Sequence, residues 1–66
     1  MTTVRLPEIW SERLVQLPES GMGYQKVNIT LKQGRILKDV IVLNAEECQS
    51  PETFDPSDIL DVQLSR

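Results

Sequence analysis

Cys48 is the one thiol of this 66-residue chain, and no histidine is present to serve as its base. A nucleophilic cysteine needs a lowered pKa, whereas the adjacent carboxylates of Glu46 and Glu47 favour the neutral thiol. The commonest acid–base group at neutral pH is missing altogether. These features argue against an enzyme. One cysteine without histidine also leaves a zinc site short of ligands, and no cofactor is expected.

Asp55, Asp58 and Asp61 form an acidic series at intervals of three. Calcium loops place oxygen ligands at alternating positions around a glycine bend, and this segment has neither feature. Capping plus a solvated helical face produces such spacing, so no metal is assigned. Gly21-Met22-Gly23 invites comparison with a phosphate cradle. Such a cradle follows a strand and opens a helix, so that backbone N–H groups converge on the anion. Here the order is reversed, and the glycines serve a tight helix-to-strand reversal.

Lys26, Lys32, Arg35 and Lys38 gather in one stretch against Asp39, whereas Glu46, Glu47, Glu52, Asp55, Asp58 and Asp61 follow with only Arg66 opposing. The basic stretch, with Tyr24 as a single stacking aromatic, is the one nucleic-acid signal. Mutual neutralisation of basic and acidic thirds explains the pattern more simply, and the net charge of −3 points the same way.

Gly21, Met22, Gly23, Tyr24 and Lys26 combine backbone freedom, a polarizable side chain, an aromatic and a cation. Contact surfaces favour Tyr and Met, and chain reversal alone needs neither. These five residues are the candidate partner-binding site. The competing reading, stronger on sequence alone, turns Met22 and Tyr24 inward to close the core between helix and sheet. Solvent exposure decides between them.

The elements that hold these residues follow from periodicity. Val27, Ile29 and Leu31 alternate with Asn28, Thr30 and Lys32, the pattern of a strand with one dry and one wet face. Lys32-Gln33-Gly34-Arg35 reverses the chain, with Gly34 free to take positive φ. Ile36, Leu37, Val40, Ile41, Val42 and Leu43 are then apolar on both faces, which predicts a central strand covered from two sides. Pro7 and Glu8 suit a helix start. Leu6, Trp10, Leu14 and Leu17 share a helical stripe flanked by Ile9, and Pro18 stops the helix predicted over 7–17. Residues 44–53 read as an irregular loop with a weak strand signal near Ala45 to Cys48. Asp55 is a good N-cap before Pro56, a single turn follows, and Asp61 to Leu64 resume strand alternation.

The predicted fold is α+β: an N-terminal helix packed on a small, strongly bent, barrel-like antiparallel sheet of three or more strands. The expected core is Leu6, Trp10, Leu14, Val27, Ile29, Leu31, Ile36, Val40, Val42, Phe54, Ile59 and Val62. Sixty-six residues make a single small domain near the lower limit for folding without staples, and homodimerisation is one source of added stability. No signal-peptide core or membrane-spanning run is present. An unpaired cysteine fits a reducing compartment, so a cytoplasmic location is expected.

Leu17-Pro-Glu-Ser-Gly-Met-Gly-Tyr-Gln25, followed by the hairpin and the Phe54-Asp55-Pro56-Ser57-Asp58-Ile59 turn, resembles a group of short uncharacterised bacterial proteins; this implies no activity. Val27-x-Ile29-x-Leu31-Lys32-x-Gly34-Arg35 resembles the strand–turn–strand of Sm-like small barrels. Those proteins usually carry a glycine where this chain has Asp39, and their later RNA-contacting motif has no counterpart after Leu43. The resemblance therefore implies a bent sheet without RNA binding. The expected function is a noncatalytic protein-interaction module, with a nucleic-acid-binding small barrel as the alternative.

Overall fold

The alternation of Val27, Ile29 and Leu31 appears in the computed structural model, which describes residues 2–65, as the buried face of strand β2 (Tyr24–Leu31). β2 pairs antiparallel with β3 (Ile36–Leu43), in register from Tyr24 opposite Leu43 to Thr30 opposite Ile36. The connection is one 3₁₀ turn over Lys32–Gly34, closed by the Leu31 N–H donating to the Arg35 carbonyl at 2.7 Å. Gly34 adopts the expected left-handed backbone, and Gln33 adopts it as well. Lys38 and Asp39 together stand opposite Asn28, a β-bulge in which Asp39 also has positive φ. The Asn28 Oδ1 accepts the Asp39 backbone N–H at 3.0 Å and so satisfies a donor that the bulge removes from the ladder.

β5 (Ile59–Leu64) pairs with the free edge of β2, with Ile29 opposite Val62 and Val27 opposite Leu64. The strand suggested at Asp61–Leu64 thus begins two residues earlier. Asp55 caps the preceding 3₁₀ turn (Pro56–Asp58) as its type and position require, accepting from the Ser57 N–H at 2.9 Å and from its hydroxyl at 2.8 Å.

β1 (Thr2–Arg5) offers one apolar residue in four and is not predicted, while β4 (Glu47–Ser50) overlaps the weak strand signal near Ala45 to Cys48. They pair with each other, Val4 opposite Cys48, and β4 also pairs with β3. A two-residue turn at Asn44 and Ala45 joins β3 to β4, both residues having positive φ and the Glu46 N–H donating to the Leu43 carbonyl at 3.0 Å. The sheet order is β1-β4-β3-β2-β5, antiparallel throughout. Among the described residues β1 and β5 remain unpaired edges, so the sheet is open where closure toward a barrel was expected.

The one α-helix among the described residues, α1 (Glu8–Val15), is shorter than predicted. Pro7 is its N-cap, with extended ψ and no capping side chain, and Pro18 bars helical geometry at Leu17. Leu14 is fully buried on the sheet, while Trp10 and Leu17 pack half-buried against the core. Val4, Leu37, Ala45 and Cys48 complete the core with the residues expected there, apart from Trp10, which borders it half-buried, and Ile36. Ile36 is corrected: it is 54% exposed, and the bulge gives its place in the core to Leu37.

Candidate interaction surface

The loop after α1 ends in a tight turn. Tyr24 N–H donates to the Gly21 carbonyl at 3.4 Å, and Gly23 takes φ +80° at the position where a type II turn needs it. Ser20 ties the turn to β2 by accepting the Lys26 N–H at 2.9 Å, and the Glu19 carboxylate accepts the Gly23 N–H at 3.0 Å. A Cβ on Gly21 would fall into the Tyr24 ring, so this glycine makes room for the aromatic rather than for an anion. Met22 stands at the tip, 99% exposed, and Tyr24 is half-buried. The side chains meet different fates: Met22 faces solvent, while Tyr24 folds back over the turn.

Behind the turn, α1 and the Asn44–Ala45 turn border an open cleft of about 480 Å³. Gln25 closes its floor. This buried side chain donates through Nε2 to the carbonyls of Leu14 at 2.8 Å and Leu17 at 3.2 Å, tying the end of the helix and the turn after it to β2. The Asn44 N–H donates to the Gly23 carbonyl at 3.0 Å, bracing the two turns against each other.

Tyr24 and Lys26 belong to a larger surface. Residues paired across antiparallel strands point to the same face. One row across the sheet therefore reads Arg5, Glu47, Leu43, Tyr24, and the next Thr3, Gln49, Ile41, Lys26. Thr30 and Ile36 form a further pair on this face. Helix and core occupy the opposite face, so the outer side of β3 displays Ile36, Lys38, Asp39, Ile41 and Leu43 with no described element packed over them. Leu43 is 37% exposed and Ile41 half-buried by its neighbours in the sheet. The prediction that β3 is covered from two sides holds for one side only. The apolar run at 36–43 did signal Ile36, Ile41 and Leu43, but periodicity cannot say whose atoms provide the cover.

Lys32 pairs with Asp58 at 3.8 Å and Arg35 with Glu52; Arg13 pairs with Asp61 at 3.2 Å and Arg5 with Glu46 at 3.9 Å. The acidic segment thus neutralises half of the basic hairpin. Lys26 and Lys38 make no ion pair among the described residues. The three aspartates of the acidic series are engaged separately, Asp55 as a cap and the other two in ion pairs, and no group of three metal-ligating side chains gathers among the described residues. Cys48 is fully buried at the centre of the β1–β4–β3 pairing, and burial pushes its thiol up to about 11. No described helix is long and apolar enough to cross a membrane. Comparison of the chain with protein-family models, with curated proteins and with solved structures finds no match.

Proposed function

We propose that this chain is a noncatalytic protein-interaction module. The observation that carries the reading is the uncovered outer face of β3, where Ile41 and Leu43 lie beside Lys26 and Tyr24, with Ile36 beyond the charged bulge at Lys38 and Asp39. Apolar side chains left in solvent on a small domain mark a contact surface. Met22, a flexible thioether fully in solvent in the turn before β2, adjoins the Tyr24 end of this face. The partner-binding residues Gly21, Met22, Gly23, Tyr24 and Lys26 fit this reading as one margin of a larger patch centred on β3. Nucleic-acid binding is the weaker reading, because Lys32 and Arg35 already hold carboxylates.

The test is retention on immobilised protein, comparing wild type with Ile41→Lys and Met22→Ser. Proteins held by wild type and released by either variant support the module. Retention indifferent to both variants overturns it. Labelled single- and double-stranded nucleic acid at low salt provides the parallel arm, since phosphate contacts weaken steeply as salt is added. Salt-sensitive retention there would favour the alternative.

A further inference from the structure

Building on the module reading, we infer that the occupant of the outer face is a second copy of this chain, packed sheet to sheet about a two-fold axis running along β3. β3 places Ile41 and Leu43 together on the open face, with Ile36 beyond the Lys38–Asp39 bulge, and a two-fold along the strand stacks each on its own copy. The flanks are opposite in charge. Lys26 lies beside Ile41 on β2, and Glu47 lies beside Leu43 on β4; both are exposed, and neither makes an ion pair among the described residues.

Within one copy, β3 separates them by two strand spacings, about 10 Å. The two-fold exchanges the flanks and carries β2 of one copy over β4 of the other. Each Lys26 then stands over Gln49 of the facing sheet, one step along the strand from Glu47, within reach of its long side chain across sheets about 10 Å apart. The patch is therefore self-complementary, with Ile41 and Leu43 meeting their own copies, the oppositely charged Lys38 and Asp39 of the bulge meeting theirs on the axis, and two Lys26–Glu47 contacts at the rim. A domain of this size buries a modest core, and a second sheet supplies the missing layer for β3.

The test is sedimentation equilibrium of the full chain over a concentration series at low salt. Wild type should self-associate. Lys26→Glu and Glu47→Lys each place like charges face to face and should weaken association by about tenfold. The double variant exchanges the charges and should restore association to within about threefold of wild type. Thermal unfolding of each variant verifies the fold, which these exposed positions leave unchanged. A chain that stays monomeric, or a dimer indifferent to the single reversals, or a double variant no better than the singles, overturns the inference. None of these outcomes decides the module reading, whose own test is retention of a different protein that Met22→Ser releases, at a position outside the two-fold contact.

Discussion

Leu37, Val40 and Val42 on one side of β3, and Ile36, Ile41 and Leu43 on the other, are side chains of one kind in opposite surroundings. The first set lies in the core cluster with Leu14, Phe54 and Val62, and Val42 is wholly out of water. The second faces solvent within one copy of the chain. Hydrophobic character alone thus does not say whether a residue belongs to a core. What differs is the rest of the chain: one eight-residue helix can cover one face of a five-stranded sheet and not both. An inner substitution should act on folding, and an outer one on association.

The largest effect is expected on the covered side. Leu14→Ala empties a fully buried site between helix and sheet and should cost about 3 kcal/mol, comparable to the whole stability of a domain this small, roughly 3–5 kcal/mol. Urea titration followed by circular dichroism reads the loss. A cost below about 1 kcal/mol would mean that the helix does not seal this face.

Cys48 probes the same side by pH. Its folded value, about 11, lies above the ordinary 9.0, so the folded state holds the neutral thiol more firmly than the unfolded chain does. The sign follows: this contribution is complete below pH 9.0 and is lost as pH rises toward 11. The alkaline loss should be of order 2 kcal/mol and absent from Cys48→Ala when the two proteins are compared over that range. Parallel alkaline limbs would show that the thiol is not enclosed between β1 and β3.

At the margin between the two faces, Gly21→Ala drives a methyl into the Tyr24 ring. The ring must move, at about 1–2 kcal/mol, with altered chemical shifts for the Tyr24 ring protons. An unmoved ring would place the aromatic elsewhere. On the outer side, Ile36→Thr should change monomer stability by less than about 0.5 kcal/mol. A larger loss would make Ile36 part of the core after all. The smallest effect belongs to Asp55, whose carboxyl is held below its ordinary range by the backbone N–H and then the hydroxyl of Ser57. Its contribution is present above pH 3.8 and fades as pH falls through the lower folded value. Asp55→Asn should flatten that limb of an acid titration.

The β2–β3 hairpin was legible because its information is local: alternation, a turn glycine and a second apolar run lie within twenty residues. The Asp55 cap was legible for the same reason. β1 was not, and β4 gave only a weak signal, because four-residue strands rich in Thr, Glu, Gln and Ser carry no period. β1 becomes a strand only by pairing with β4 across more than forty residues of chain, and β4 by following β3 through a two-residue turn. Of the candidate surface, the loop from Gly21 to Tyr24 was visible as composition. Its union with Ile41 and Leu43 required the register of β2 on β3.

The sequence by itself determined an α+β chain, the helix stripe ending in Leu14, the central hairpin and the capped turn at Asp55. Each is set by the conformational preferences of residues close along the chain. Only the tertiary structure decided that Leu37 rather than Ile36 is buried, since a bulge of one residue reverses which side chains face inward. The same is true of the edges at β1 and β5 and of the uncovered face of β3. These depend on which distant segments meet, and cover for a sheet face is a property of the assembled layers rather than of any strand.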